Sequence, residues 1–346
     1  MRLDSLAGQA LCDNFAMKLI VSAVLAAAIV SIVSEASFGQ PLPSCKVETL
    51  SIDALKITSQ NDGSELIVLG HTHRAYWALD KFAEMIEDAA KSSGDRVELA
   101  KKLDAIRAWN GNDVQTYYKN YSGPTYEHLR KLVHDNKIDF VGIESPYVTV
   151  GNRIPKIKAA AELYAKLATE AYGSAYADQQ LEKDLLGMFA TDYYFASTNP
   201  NKLKIEGVES SLLEYRHGAT YTALAEALTK VDAAKTDQNK KTVDTIVGLL
   251  GMTSLMNESV LALAKGALSP EIYKEAEKAA LLRKKFEEGV ELRESWMLQS
   301  MKSRSQHTGL LIVGTDHLIN MKSSPAEFCK ALKPQSSPTS PPGSVH

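Results

Sequence analysis

Short apolar runs alternate with longer helical patterns along most of the chain. The clearest run, residues 66–69, is made of aliphatic side chains and is followed by Gly70. A continuous apolar run of this length is typical of a strand buried on both faces, as in a parallel sheet. Short apolar runs also cover 138–143 and 310–313, residues 203–208 are a further strand candidate, and a looser alternation covers 47–58. The pattern predicts an α/β fold with a central, mostly parallel sheet flanked by helices.

The remaining chain is largely helical in its spacing of apolar residues. Helices are predicted over 79–92, 95–109, 125–136, 152–171, 179–190 and 325–332. Residues 211–303 are almost entirely helical in pattern, so we predict a large helical insertion before the last strand, packed over the carboxyl edge of the sheet. Residues 40–332 would then form a single domain, and the Pro/Ser-rich residues 333–346 a disordered tail.

The N-terminus has the pattern of a secretory signal peptide. Met17 and Lys18 precede an apolar run over 19–33, and small residues follow at 36–39. We therefore predict a signal peptide over 1–39, with Met17 as an alternative start, and export to the periplasm or the cell exterior. The run is short for an uncleaved anchor, and no other stretch is long enough to span a bilayer, so no membrane span is expected after processing.

The composition of the chain limits the classes of molecule that it is expected to bind. The 346 residues carry a formal net charge of −3 and contain no basic block, which argues against a nucleic-acid surface. Cys45 and Cys329 are the two cysteines that remain after processing. In an oxidising compartment they would be able to form a disulfide that ties the two ends of the domain together, and two free thiols are the alternative.

Each predicted parallel strand is followed closely by side chains that bind metals or move protons. His71 and His73 follow the first strand, Glu144 the second, Glu209 the third and His317 the last. Because ligands bind at the carboxyl ends of the strands in open α/β sheets, we expect these side chains to share one pocket. Such a set would suit a catalytic metal or, alternatively, a metal-free general base acting on water. Solvated loop histidines and a helix-capping glutamate are the ordinary structural alternatives.

Arg293 lies on the apolar stripe of the predicted helix 284–303, with Glu294 beside it. A buried guanidinium is costly without a carboxylate partner. We therefore expect Arg293 either to meet Glu144 or Glu209, or to hold a substrate carboxylate or phosphate. The alternative is that its long side chain reaches out to solvent.

Five motifs, taken in order, resemble the TraB/GumN/Tiki-like proteins and their erythromycin-esterase-like and ChaN-like relatives. They are Gly-x-x-His at 70–73, a glutamate closing the next strand at 142–144, Gly-[Val/Leu]-[Asp/Glu] at 207–209, Arg-[Asp/Glu]-x-x-Met at 293–297 and Gly-x-x-His at 314–317. Their order and spacing agree over nearly the whole mature chain. His71 departs from the residue usual at its position, so either imidazole of the first motif is a candidate ligand.

The resemblance implies roles for these residues. The implied catalytic residues are His73, Glu144 and His317, supported by Arg293 and Glu294. The candidate ligands for a divalent cation such as Mn, Co or Zn are His71, His73, Glu144, Glu209 and His317. Tiki-like members imply a metal-dependent peptidase, erythromycin-esterase-like members imply metal-independent hydrolysis in which histidine activates water, and ChaN-like members imply haem binding.

We therefore expect an exported hydrolase of the peptidase or esterase type that acts on a small-molecule or peptide substrate. The alternative is a haem- or metal-binding protein without turnover, with His71, His73, Tyr76 or Tyr147 as axial ligand. A structural or signalling role for a degenerate member is a third hypothesis. Fold is expected to transfer from such a resemblance better than activity does.

Overall fold

The computed structural model describes residues 45–323, except residues 61, 73, 75, 110–112, 136, 200 and 201. Several predictions concern residues outside this part of the chain. These are the signal peptide over 1–39, the helix over 325–332, the tail over 333–346, the disulfide to Cys329 and the site residue His73.

The described residues form a six-stranded sheet in the order β1-β2-β3-β6-β4-β5. The strands are β1 (Cys45–Ser51), β2 (Ala54–Ser59), β3 (Glu65–His71), β4 (Phe140–Pro146), β5 (Lys204–Glu209) and β6 (Thr308–Gly314). The neighbouring pairs among β3, β6, β4 and β5 are parallel, whereas β1 and β2 form an antiparallel hairpin whose second strand pairs with β3. The predicted α/β fold with a mostly parallel sheet is confirmed, and the alternation over 47–58 is the hairpin.

Helices connect the strands and cover both faces of the sheet. Before β5 they are α1 (Tyr76–Ala90), α2 (Arg96–Arg107), α3 (Val114–Tyr117), a π-helical turn (Tyr118–Ser122), α4 (Gly123–Asp135), α5 (Tyr147–Tyr172), α6 (Ser174–Gln179), α7 (Leu181–Met188) and α8 (Thr191–Thr198). After β5 they are α9 (Ser211–Asp232), α10 (Lys240–Met252), α11 (Asn257–Ala267), α12 (Pro270–Arg304) and α13 (Thr315–Ser323).

Several short helices were not predicted from the pattern, and α8 and α13 illustrate two different reasons. Helix α8 buries six of its eight residues, so it lacks the polar face that makes a helical period visible. Helix α13 starts immediately after β6, where a glycine and a polar sequence suggested a loop. Its first residues therefore belong to a helix N-terminus rather than to a loop.

The two faces of the sheet carry separate cores, as the alternation along β3 shows. Ile67 and Leu69 pack with α1, α2, α4, α5, α7 and α8, whereas Leu66 and Val68 pack with α12 and α13. Successive side chains of a strand point to opposite faces, so each strand contributes to both cores. Glu144 has the phase of Phe140, which lies on the α12 face.

The helical insertion has a core of its own. Leu224, Val231, Ile246 and Leu250 pack against the alanines of α12 between residues 276 and 280. Helix α12 contains 35 residues, which is about 50 Å at 1.5 Å per residue, and its far half packs on the sheet. No helix in the described part of the chain combines the length and apolarity needed to cross a membrane.

Candidate active site

The carboxyl ends of β4 and β5 are joined by a guanidinium from α12. Arg293 donates from Nη2 to Glu144 Oε1 at 2.9 Å and from Nε to Glu209 Oε1. Arg293 is 9% exposed and Glu209 is 6% exposed. The expectation that this arginine meets Glu144 or Glu209 is confirmed, and it meets both.

His317 links the same glutamate to α12 from the other side. Its Nε2 lies 3.0 Å from Glu144 Oε1, and its Nδ1 lies 2.8 Å from Glu294 Oε1. The backbone N–H of Gly314 donates to Glu144 Oε2 at 2.5 Å. Groups from α12, α13 and the end of β6 therefore fix the orientation of the Glu144 carboxylate.

A glycine permits the close approach of β4 and β5 beside this site. The two strands are in parallel register up to Ile143 and Gly207, and the register then shifts so that Pro146 pairs with Glu209. A Cβ at Gly207 would lie 2.4 Å from the backbone oxygen of Ser145. Only glycine fits there without moving the backbone that positions Glu144 and Glu209.

The neighbouring carboxylates keep His317 charged. Burial lowers the pKa of this imidazole, but hydrogen bonds to Glu144 and Glu294 and their negative charges outweigh it and raise the pKa to about 9. The same balance holds for Arg293, where burial is outweighed by the bond to Glu209 and by nearby carboxylates, so its pKa is raised. At neutral pH the site thus presents an imidazolium and a guanidinium among three carboxyl groups.

The side chains of the network differ from the ligand set that a divalent cation needs. A metal ligand must offer a lone pair, and a protonated imidazole has none. Both ring nitrogens of His317 are engaged with carboxylates, and Glu144 already accepts from Arg293. Within the described residues no group of three or more His, Cys, Asp or Glu side chains is arranged to hold a metal ion. This arrangement does not fit a metal centre, and the metal remains a prediction because His73 lies outside the described residues.

The structure therefore brings five of the predicted site residues into one hydrogen-bonded network. They are Glu144, Glu209, Arg293, Glu294 and His317. His71 pairs in register with Gly314, but it has the phase of Ile67 and Leu69 and so lies on the opposite face of the sheet from Glu144. It is buried at 1% exposure.

Two residues of α9 also belong to the surroundings of this network, and the sequence analysis did not identify them. Glu214 lies near enough to Glu209, Arg293 and Glu144 for their charges to act on its carboxyl group. Burial, followed by the charge of Glu209, raises its pKa. His217 lies one helical turn later, and the charges of Arg293, His317 and Glu144 shift the pKa of its imidazole. Their spacing of three residues, shortly after the predicted site residue Glu209, was the available signal.

Exposed apolar side chains lie within a few residues of the polar network along the chain. Each of the helices that follow β4, β5 and β6 places one or two of them in its first two turns, and α12 adds another. They are Tyr147, Val148, Leu212, Tyr215, Ile319 and Trp296, all between 48% and 74% exposed. A polar centre with an apolar border is typical of sites that bind organic substrates.

No family model, curated protein or solved structure matches this chain. The resemblance to the TraB/GumN/Tiki-like proteins, and the peptidase, esterase and haem-binding activities that it implies, therefore stay predictions.

Proposed function

We propose that this protein is an exported hydrolase that cleaves an ester or amide bond with Glu144 as general base and His317 as general acid. The observation that carries the proposal is the direct contact between these two side chains, 3.0 Å apart, with His317 oriented by Glu294. A base oriented by a second group is the recurring feature of general acid–base sites. The exposed apolar side chains at the starts of the helices that follow β4, β5 and β6 support an organic or peptide substrate over an inorganic one.

The reaction can be written with every proton accounted for. The oxygen of a water molecule bonds to the substrate carbonyl carbon while one water proton passes to Glu144. The bond from this carbon to the leaving oxygen or nitrogen then breaks, and the leaving atom keeps the electron pair and takes the Nε2 proton of His317. Glu144 finally returns its proton to His317 across their 3.0 Å contact, which restores both groups. Arg293 holds Glu144 in place throughout.

The charge states at rest suit these roles. His317, with its pKa raised to about 9, retains the proton that it must donate at neutral pH. Glu144 lies between the guanidinium of Arg293 and the imidazolium of His317, and it accepts a hydrogen bond from each. The substrate therefore has to enter beside Glu144, and proton transfer to the leaving group has to follow soon after attack by water.

The test is hydrolysis of p-nitrophenyl acetate and of a fluorescent casein digest by the purified chain. We expect Glu144→Gln and His317→Asn each to lower kcat about 100-fold or more, the usual contribution of general acid–base groups. Glu206→Gln is the matched control, because Glu206 lies on β5 and pairs with Lys204 and Arg304 instead. Wild-type activity in Glu144→Gln would refute the proposal.

Removing and adding metal ions distinguishes the metal-free acid–base reaction from a metal-dependent one. The proposed reaction should survive dialysis against EDTA and should not respond to added Mn²⁺, Co²⁺ or Zn²⁺. Activity that disappears with EDTA and returns with one of these ions would replace the acid–base proposal with the metal-dependent one.

A further inference from the structure

We propose that His217 is a neutral hydrogen-bond donor, acting through Nε2–H, that binds the carbonyl oxygen of the substrate. This inference rests on the proposed hydrolysis and assigns a role to a residue outside the network of five side chains described above. It names the substrate group concerned: the oxygen of an ester or amide carbonyl, on which negative charge develops when water attacks.

The position of His217 is defined by its contacts with α12. Its ring stacks on Phe286, with centroids 4.1 Å apart and an interplanar angle of 33°. A Cβ at Gly289 would lie 3.4 Å from His217 Nδ1. Gly289 and Arg293 are four residues apart on α12, so they lie on the same face in successive turns. His217 is therefore held one turn away from the guanidinium that orients Glu144.

The two ring nitrogens of His217 have different surroundings. Nδ1 is buried and has no hydrogen-bond partner among the residues that the structure describes. A buried N–H without an acceptor is unfavourable, so the nitrogen that faces Gly289 is best left without a proton. In a neutral imidazole the proton then resides on Nε2. His217 is therefore the tautomer that donates from Nε2.

The surrounding charges keep this ring neutral. Burial, Arg293 and His317 all lower the pKa of His217, Glu144 opposes them, and the result is about 4. A group with this pKa is a poor base at neutral pH, and it keeps its single proton without gaining a second. It can therefore donate to an oxygen that becomes negative without being consumed in the reaction.

The donors that hold Glu144 in place are already engaged with carboxylates. Arg293 donates from Nε to Glu209 and from Nη2 to Glu144, and the N–H of Gly314 donates to Glu144. His317 is engaged with carboxylates at both nitrogens. His217 is thus the imidazole beside the network whose donor is not already committed to one of these carboxylates, which is what an oxyanion requires.

Two substitutions separate donation from packing. His217→Phe keeps an aromatic ring against Phe286 and removes the donor, whereas His217→Gln places an amide N–H near the position of Nε2. With p-nitrophenyl acetate we expect kcat to fall about 100-fold in the Phe variant, as for loss of one oxyanion donor, and about 10-fold or less in the Gln variant. KM and the unfolding midpoint should change little. Equal losses in both variants, or an unchanged kcat in the Phe variant, would overturn the assignment.

A spectroscopic readout tests His217 without relying on turnover. Nitrogen-15 NMR of the histidine rings should show His217 neutral at pH 7, with Nδ1 unprotonated and Nε2 protonated, and still neutral at pH 5. Titration with methylphosphonate, which presents tetrahedral anionic oxygens, should shift the Nε2 resonance. A charged ring, a protonated Nδ1 or an unshifted Nε2 would overturn the inference. Failure of the proposed hydrolysis is recognised separately, by equal rates in wild type and Glu144→Gln.

Discussion

Replacing Arg293 by methionine gives the most direct test of the network, because it removes a cation that joins the ends of β4 and β5. In the folded protein Arg293 is 9% exposed and donates to both Glu144 and Glu209. Methionine has a similar length and fills the same space on the apolar stripe of α12. The variant therefore leaves two carboxylates close together, largely removed from water and without their shared partner.

The expected loss of stability follows from the burial of the ion pairs that Arg293 forms. Removing one partner of a buried ion pair costs about 3–5 kcal/mol, because the charge left behind is not compensated. Unfolding entropy is about 2.1 cal/mol/K per residue, so for the 293 residues of the predicted domain, 40–332, each kcal/mol corresponds to a change of about 1.6 °C in Tm. We therefore expect Arg293→Met to lower Tm by about 5–8 °C, with a matching shift in urea denaturation.

The assay is thermal and urea denaturation followed by circular dichroism, with two further variants. Arg130→Met removes an exposed guanidinium whose ion pair with Glu127 has side chains 56% and 69% exposed, so it should cost about 0–1 kcal/mol. Adding Glu209→Gln to Arg293→Met removes one stranded charge and should recover part of the loss. If Arg293→Met and Arg130→Met shift Tm equally, the network does not carry the energy assigned to it.

Three further outcomes are expected. Between pH 6 and pH 10 the free energy of unfolding of the wild type, measured by urea denaturation, should fall by about 3 kcal/mol. The reason is that the pKa of His317 is raised to about 9, so its stabilising contribution is complete below pH 6.5 and is lost as the pH rises through 9. The His317→Gln variant should not show this fall. Gly207→Ala should cost about 1–3 kcal/mol because its Cβ would meet backbone, whereas Gly218→Ala, with open space around its Cβ, should stabilise α9 by about 0.5–1 kcal/mol. Asp184→Asn should lower the free energy of unfolding by about 1–3 kcal/mol, because the buried carboxylate accepts hydrogen bonds from two tyrosine hydroxyls and two glutamine amides. The matched variant at an exposed position, Asp178→Asn, should leave Tm unchanged.

The sheet was predictable because its strands carry strong local signals. Strands β3, β4 and β6 contain short apolar runs, β5 mixes apolar with charged residues, and the alternation at 47–58 marks a hairpin exposed on one side. The carboxyl-edge rule then placed Glu144, Glu209 and His317 at one edge before any geometry was known. Arg293 could be linked to them because a charged residue on an apolar stripe needs a partner.

The rest of the site depends on contacts that sequence patterns do not encode. Which face of the sheet a strand-end residue joins depends on its phase, and a single residue of shift separates His71 from the face that carries Glu144. Glu214 and His217 lie on α9, a helix in which apolar residues do not recur with a clear helical period. Their approach to Arg293 therefore depends on how α9 crosses α12. The tertiary contact, rather than local propensity, makes them neighbours.

The course of α12 explains why the helical insertion and the site occur together. Its first half packs in the core of the insertion at Ala276, Ala279 and Ala280, and its last turns pack on the sheet at Met297 and Met301. The residues that contact the site lie between these two anchored halves. A continuous helix transmits tilt along its length, so any movement of the insertion relative to the sheet must move the guanidinium that holds Glu144 and the surface on which His217 stacks. The insertion is therefore positioned to set the geometry of the site as well as to border it.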